Sequence, residues 1–293
     1  MQHLTVLTTV AVDALQLKPH DVVLDATHGS GGHTREIARR LEIPGRVIAV
    51  DIDPSAISAA TTWTETSVVP IQLIQSDFRL VAEHIPAQSV DAALADLGWR
   101  TEQFTEAGRG FSFRADEPLY MTFGDPDTYA FTAKDIVNDW SEESIANVIK
   151  GYGEERFAKR IAQRIVETRH HTPIVTAQQL GAIISEAIPK RFHSSRIHPA
   201  TKTFQALRIA VNDELSAVDE FISNVWPLLV PGGRLAIISF HSLEDRIVKH
   251  RFRQYVQAGV GELLHKRPIT ADAEECSNNP RARSAKLRTI KKL

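Results

Sequence analysis

The sequence predicts an α/β fold in which a parallel sheet is interrupted by an inserted all-α domain. In the first hundred residues, short β-branched runs alternate with helical stretches, which is typical of βαβ units. From about residue 106 to residue 199 there is no convincing β-run, and amphipathic segments follow one another instead. The strand and helix pattern then resumes. These three observations together favour a sheet domain that is split in the sequence by a helical insertion.

Four strands and two helices are predicted before the insertion. The strands are residues 22–26, 46–50, 71–75 and 90–97, and the helices are residues 34–41 and 55–63. The second helix has a clear start, because Asp53 is a good N-cap acceptor and Pro54 suits the first helical position. This part of the chain therefore resembles half of a doubly wound sheet.

The insertion and the C-terminal part are predicted from apolar spacing. Amphipathic helices are expected at 141–150, 154–168 and 177–188. One long helix is expected from about 204 to 229, since its apolar residues step by threes and fours and form a single stripe. Residues 231–233 then predict a turn, 234–240 a buried strand and 243–256 a helix. The last stretch, from residue 279, carries six cations and no acid.

Composition limits the function classes. The chain has 293 residues, a formal net charge of −2, 43% hydrophobic and 24% charged residues, which is ordinary for a globular protein and excludes a histone-like cation. No apolar run is long enough for a membrane helix and the N-terminus lacks signal-peptide features, so we expect a cytoplasmic protein. Cys276 is the single cysteine and no Cys/His cluster has metal-ligand spacing, so we expect no metal.

The sharpest local signal is a glycine-rich turn after the first strand, which reads Asp25-Ala-Thr-His-Gly-Ser-Gly-Gly-His33. Glycines let the backbone approach a ligand where a Cβ would clash. The third glycine of a dinucleotide fingerprint would fall at Thr34, which weakens a nicotinamide interpretation and favours S-adenosylmethionine. Asp51 ends the second strand 22 residues beyond Gly29, close to the spacing at which an acid meets the ribose hydroxyls of a nucleotide.

Two further strand ends carry candidate site residues. Phe78 follows the third strand and could cover an adenine ring, with ordinary core packing as the alternative. Asp96 ends the fourth strand at the carboxyl edge, where open α/β sheets bind ligands. An exocyclic base amine is a poor nucleophile, so a carboxylate that accepts its N–H would help it to react. Asp96 fits this role, with Trp99 as a stacking wall, although a plain cap of the strand end remains the alternative.

A later strand end and several cations are candidates for contacts with the substrate. His241 and Ser242 follow the strand at 234–240 on the same edge, and we interpret them as contacts to a target nucleotide, against a purely structural histidine. Basic residues could form a phosphate-binding surface despite the net charge, because patches matter more than the sum. They are Arg196, His198, Lys202 and Arg208 together with the basic residues from 281 to 292.

Eight motifs give a resemblance that runs nearly the length of the chain. They are GSGGHT at 29–34, AVDIDP at 49–54, DLG at 96–98, RGFSF at 109–113, YGEERFAKRIAQRIV at 152–166, HPATKTFQALRIAVNDEL at 198–215, PGGRLAIISFHSLEDRIVK at 231–249 and NPRARSAKLR at 279–288. On these motifs the sequence resembles the bacterial 16S ribosomal RNA cytosine-N4 methyltransferases, the RsmH (MraW) family.

The resemblance implies a Rossmann-like S-adenosylmethionine-dependent methyltransferase sheet formed by residues 1–104 and 200–293, with a helical substrate-recognition domain at 105–199. It implies methylation of N4 of cytosine 1402 in 16S rRNA of the small ribosomal subunit. Members of this family can form dimers, so the resemblance also makes a homodimer an expectation. Asp96 is the implied catalytic residue. The positions that match the family's cofactor contacts are Gly31, Gly32, His33, Asp51, Phe78, Asp96 and Gln103.

The chain departs from the family's usual sequence at 99–102 and at 117–123, next to the expected base pocket. A second hypothesis is therefore a ribosome assembly factor that binds S-adenosylmethionine and rRNA but has weak or altered methylation activity. Retention of Asp96 argues against it. A DNA amino-methyltransferase fits the Leu97-Gly98 sequence poorly, and a nicotinamide oxidoreductase fits the glycine loop least well.

Overall fold

A computed structural model of the chain describes residues 5–97, 108–194 and 197–293. The chain folds as two compact units. The first combines residues 1–98 with 215–293, and the second is the intervening 99–214.

The first unit is built on a seven-stranded sheet with the order β3-β2-β1-β4-β5-β7-β6. The strands are β1 (Val22–Asp25), β2 (Arg46–Asp51), β3 (Ile71–Gln75), β4 (Val90–Asp96), β5 (Leu229–Ser239), β6 (Gly261–Leu263) and β7 (Lys286–Lys292). Strands β1 to β5 pair in parallel, whereas β7 runs antiparallel to both of its neighbours. The predicted α/β fold class is thus confirmed.

Twelve α-helices lie in the described part of the chain. In chain order they are α1 (Thr8–Leu15), α2 (Gly32–Arg40), α3 (Pro54–Thr64), α4 (Val81–His84), α5 (Ala133–Asp139), α6 (Glu142–Gly153), α7 (Ala158–Arg169), α8 (Ala177–Ala187), α9 (Thr201–Asn212), α10 (Glu214–Val225), α11 (Ser242–Gln257) and α12 (Ala273–Asn278). None of these helices combines the length and apolar character needed to cross a membrane.

Both faces of the sheet are buried, which explains why its central strands read as nearly continuous apolar runs. On β1, Leu24 belongs to a core with residues of α10 and α11, while Val23 belongs to a second core with residues of α1 and α2. The neighbouring strands alternate in the same way. This two-sided burial fixes the register of each strand and hence the place where each one ends.

The second unit is helical and has a core of its own. Helices α5 to α9 contribute buried residues such as Ile136, Ile149, Ile161, Ile184 and Leu207 to one cluster. Several helix starts are capped by side chains, as expected from their sequences. Thr132 and Thr176 each form a reciprocal capping box with the residue three positions later.

The single long helix expected from 204 to 229 is wrong, because the structure has two helices there. Asp213 adopts a left-handed backbone conformation with φ 48° and separates α9 from α10. The apolar stripe continues across the break, so periodicity alone could not reveal it. The residues of α9 pack in the helical core, and the boundary between the units accordingly falls at 214/215 rather than at the expected 199/200.

Two further expectations change near the C-terminus. The predicted turn at 231–233 lies inside β5 as a bulge, since Val90 pairs with Leu229 while Ala92 pairs with Arg234. The basic last stretch was expected to be a surface, but residues 286–292 form β7 between β5 and β6. Leu287 and Ile290 of β7 are fully buried, so this strand is part of the core.

Candidate functional site

Three neighbouring parallel strands end in an aspartate at the same edge of the sheet. Asp25, Asp51 and Asp96 are the last residues of β1, β2 and β4. The chain goes from β1 outward to β2 and β3, then returns to the other side of β1 as β4. Open α/β sheets bind ligands in the crevice that this reversal creates. The switch point of the sheet therefore lies at the strand edge to which the sequence analysis assigned a ligand, and the ligand site itself stays a prediction.

The loop between β1 and α2 is tied to all three strand ends by hydrogen bonds. The backbone N–H of Gly29 donates to Oδ2 of Asp51 at 2.6 Å, and the backbone N–H of Asp96 donates to Oγ1 of Thr27 at 2.6 Å. The backbone N–H of Thr27 donates to Oδ1 of Asp25 at 3.2 Å. The first two bonds join residues that are 22 and 69 positions apart in the sequence, and they fix the loop relative to Asp51 and Asp96.

Asp25 is fully buried beneath this loop. The hydroxyl of Thr34 donates to its Oδ2 at 2.6 Å, and the hydroxyl oxygen lies 2.7 Å from Nδ1 of His28. Burial disfavours the charged carboxylate and, with a smaller contribution from the charge of Asp51, raises the pKa of Asp25 to about 6 despite the hydrogen bonds from Thr34 and Thr27. Sequence analysis recognised Asp25 only as the acid before the glycines.

The glycines of the loop serve different needs. At Gly29, with φ +57°, an added Cβ would meet only the carbonyl oxygen of Thr27 at 3.8 Å, so the space beside it is open to a ligand. At Gly31, with φ +79°, an added Cβ would come within 2.8 Å of the Trp63 ring. At Gly32 it would overlap the side chain of Thr5. Protein packing thus accounts for two of the three glycines.

An aromatic and cationic stack supports the loop from outside. The ring of Trp63 stacks on His28 with centroids 5.9 Å apart, and the guanidinium of Arg35 lies 4.1 Å from the Trp63 centroid. Arg35 also donates to the carbonyl oxygen of Ser30 at 2.8 Å. Sequence analysis missed Trp63, because its helix α3 gives no signal that one side chain reaches back to the loop after β1.

Asp96 faces the buried start of α2. Nδ1 of His33 lies 3.8 Å from Oδ2 of Asp96, and Nε2 of His33 lies 3.2 Å from the carbonyl oxygen of Val6. His33 is only 3% exposed, whereas the Asp96 side chain is 14% exposed and can reach a ligand in the crevice. The structure thus brings the loop, Asp51, His33 and Asp96 together.

Phe78 lies at the end of β3, in a short 3-10 helix at Phe78–Leu80. It is half-buried against the core, with its ring 5.3 Å from that of Phe221. Asp77 caps the same turn through the backbone N–H of Arg79 and pairs with the Arg79 side chain at 2.7 Å. Core packing therefore explains part of the Phe78 environment, and the residue follows β3, which is the strand next to β2 in the sheet.

His241 is the N-cap of α11. Its Nδ1 accepts from the backbone N–H of Glu244 at 3.3 Å, and the Glu244 carboxylate accepts from the backbone N–H groups of Phe240 and His241. A neutral ring that accepts at Nδ1 carries its proton on Nε2, which lies 3.1 Å from Oε1 of Glu244. This capping box favours a structural role for His241, while Ser242, the first residue of α11, is exposed.

Two predicted site residues, Trp99 and Gln103, lie outside the described residues, as does Arg196.

Most of the other proposed phosphate-binding cations have partners within the protein. Arg208 pairs with Glu214, Arg288 and Lys286 pair with Asp245, and Lys292 donates to two backbone carbonyls. Burial opposes ionisation of Asp245, but the hydrogen bond and charge of Arg288, helped by Lys286, lower its pKa. These cations stabilise the fold.

Replacing Asp25 with asparagine tests the buried carboxyl. A folded-state pKa near 6, against 3.8 for the unfolded chain, means that the folded protein holds the proton more tightly between these values. The stability of the wild-type protein must therefore fall as the pH rises through this window, by at most about 3 kcal/mol from this group. The D25N protein lacks that slope. Urea unfolding from pH 4 to pH 7 measures the difference, and parallel profiles for the two proteins would contradict the assignment.

Comparisons with known proteins identify the family of this chain. A family model described as the MraW methylase family matches residues 1–293. Ribosomal RNA small subunit methyltransferase H of Koribacter versatilis is 47% identical, over 98% of this chain and 92% of its own length. The proteins of the same name from Trichlorobacter lovleyi and a Paenibacillus species are 42% and 40% identical, over 99% and 100% of this chain and 98% and 99% of their own lengths.

The match extends over both units, including the strand ends with Asp25, Asp51 and Asp96 and the helices of the second unit. The chain belongs to the MraW methylase family.

Proposed function

We propose that this enzyme transfers a methyl group from S-adenosylmethionine to N4 of a cytosine in small-subunit ribosomal RNA. The observation that carries the proposal is the position of Asp96. This carboxylate ends β4 in the crevice, is partly exposed, and is held by its own backbone N–H to the loop that follows β1. The relatives named above are methyltransferases of small-subunit rRNA by name, which supports the same substrate here.

The crevice has the donor and acceptor groups that this cofactor needs. S-adenosylmethionine, when bound, supplies a methyl group already activated on a sulfonium. Asp51 accepts from the backbone N–H groups of Gly29 and Asp53, and a carboxylate has about four acceptor positions, so it can also accept from ribose hydroxyls. The N-terminus of α2 at Gly32 suits the cofactor's carboxylate.

The remaining cofactor contacts are proposed from the match to the family's motifs. Gly31 ends the loop after β1, and His33 lies in the first turn of α2. Phe78 is proposed to pack against the adenine ring. Gln103, which lies outside the described residues, is the last of the proposed cofactor contacts. The open space beside Gly29 leaves room for the cofactor's ribose and amino acid portions.

Asp96 performs the chemistry on the base. The lone pair of an exocyclic amine is delocalised into the ring, so the amine must lose planarity to become nucleophilic. A carboxylate oxygen of Asp96 that accepts one N–H favours this change, stabilises the positive charge that develops on the nitrogen as its bond to the methyl carbon forms and the sulfonium bond breaks, and takes up the proton that the nitrogen then releases. The bond from the backbone N–H of Asp96 to Thr27 fixes the end of β4, and Nδ1 of His33 lies 3.8 Å from Oδ2 of the Asp96 carboxylate. The protein therefore orients the amine, and alignment supplies the remaining acceleration.

Other parts of the proposal rest on the resemblance to the family. The target is cytosine 1402 of 16S rRNA, presented by the small ribosomal subunit in the cytoplasm. The second unit recognises the substrate, and Trp99 and Ser242 are proposed as contacts to the target nucleotide. His241 supports Ser242 by capping α11. The enzyme is also proposed to act as a homodimer.

The test of function uses small ribosomal subunits from cells that lack this gene, incubated with methyl-labelled S-adenosylmethionine. We expect label in N4-methylcytidine at one rRNA position, found by nucleoside analysis and mapping. The D96N enzyme keeps the size of the side chain but loses the acceptor charge, so its rate at saturating cofactor should fall roughly 10²-fold or more. The matched control is D139N, because Asp139 is exposed at the end of α5.

Wild-type label that is absent from N4-methylcytidine would contradict the proposed reaction. Binding of cofactor and subunits without any transfer would instead support a ribosome assembly factor. A D96N enzyme as fast as the D139N control would remove Asp96 from the mechanism.

Replacing Gly31 with alanine tests the glycine loop. The new Cβ would displace the Trp63 ring and the loop with it, so cofactor affinity should fall roughly tenfold or more. The G259A protein is the matched control, because Gly259 has a similar φ of +72° but no atom within 4 Å of an added Cβ. Both variants bear the left-handed backbone cost of about 1 kcal/mol. Equal cofactor affinities by calorimetry would show that the loop does not position the cofactor.

A further inference from the structure

The helical unit carries an exposed group of stacked aromatic and guanidinium side chains, here called the Arg–Phe stack. It consists of Arg156, Phe157, Arg191 and Phe192. The two rings lie 5.2 Å apart between centroids. The Arg156 guanidinium lies 4.6 Å from the Phe157 ring and 4.1 Å from the Phe192 ring, and that of Arg191 lies 4.9 Å from the Phe192 ring. The stack joins the start of α7 to the turn at 190–192, which are distant in the sequence.

The stack is held in place by the backbone on both sides. Phe157 is the N-cap of α7, and its N–H donates to Oε1 of Glu155 at 2.9 Å. Phe192 ends a 3-10 turn in which its N–H donates to the carbonyl oxygen of Pro189 at 2.8 Å. Phe192 is nevertheless 41% exposed. Its surface is therefore preorganised and accessible.

Exposed cations are concentrated around the stack in the sequence, with the exposed Glu154 as a neighbouring acid. Lys159, Arg160 and Lys190 are exposed beside Arg156 and Arg191 in the sequence. Among the described residues none of these five cations takes part in an ion pair, whereas Arg164 on the same helix pairs with Glu186 and Glu167. The nearby Glu155 is only 8% exposed and points inward to cap Phe157. In a chain of net charge −2, this is a local excess of cations.

Exposed cations interleaved with aromatic rings suit single-stranded nucleic acid. Phosphates bind the cations, and bases stack on aromatic rings or on guanidinium planes. An anionic protein surface would use the charges but would leave the exposed Phe192 ring and its guanidinium neighbours without a partner. We infer that the Arg–Phe stack and its flanking lysines bind a single-stranded segment of the rRNA substrate. This inference rests on the proposed function and gives the helical unit a specific contact surface.

The test separates stacking from charge. Loss of the ring in F192L should weaken binding of a mixed-sequence single-stranded RNA oligonucleotide roughly tenfold, whereas F192Y, which keeps a ring, should bind like the wild type. K159E and K190E should each remove one phosphate contact. The slope of the logarithm of the RNA association constant against the logarithm of the salt concentration should then become less negative by about 0.7 in each variant. The matched control is K134E, because Lys134 is exposed on α5 in the same unit with Asp135 and Asp139 on its helix.

Methyl transfer to small ribosomal subunits gives a second readout. The stack variants should raise KM with little change in kcat, since they alter binding and not the reacting groups. Their thermal unfolding and cofactor affinity should match the wild type, which excludes a folding defect.

Unchanged RNA affinity, salt slope and KM in F192L and K190E, with an active wild-type enzyme, would overturn this inference and leave the proposed function standing. A change of sedimentation mass in F192L without a change in RNA affinity would overturn it in favour of contact with a second copy. Wild-type protein that binds RNA through the stack but transfers no methyl group would instead contradict the proposed function.

Discussion

The hydrogen bonds that tie the loop after β1 to the ends of β1, β2 and β4 are the constraint on which the site depends. Gly29 and Thr27 reach two different strand ends from the same short loop, while buried Asp25 holds the loop from below. Without these bonds the backbone of a glycine-rich turn would sample many conformations. Because the sheet is buried on both faces, the pairing register of its strands is fixed. The loop is bonded to the strand ends, so its position is fixed as well.

In the proposed function, the sheet unit performs the chemistry and the helical unit recognises the substrate. The sheet unit supplies the carboxylates Asp51 and Asp96 on a rigid edge, which suits proton acceptance and cofactor orientation. The helical unit has its own core and exposes cations and rings that suit an extended anionic substrate. The arginines of this chain thus have different partners. Arg208 and Arg288 are bound by carboxylates within the fold, whereas Arg156 and Arg191 stack on exposed rings.

Local sequence signals predicted the part of the fold that depends on local interactions. The four N-terminal strands, the glycine loop and the aspartates at 51 and 96 all follow from burial and turn chemistry within a few residues. Features that depend on distant partners were not predictable. The break at Asp213 leaves the apolar stripe intact. The sequence of β7 resembles a basic tail, since the acid that compensates its charge is Asp245, which lies on a helix that is distant in the sequence. Trp63 and Thr27 contribute through contacts that no spacing in the sequence reveals.

The most direct test of the central claim is the single-turnover rate of methyl transfer to small ribosomal subunits by T27V and T27S enzymes. Valine keeps the shape of threonine but cannot accept from the N–H of Asp96, whereas serine keeps the hydroxyl. If the loop positions the catalytic carboxylate, T27V should be roughly tenfold slower or more with cofactor bound, and T27S should be close to the wild type. A T27V enzyme as fast as the wild type would show that Asp96 is positioned without this bond.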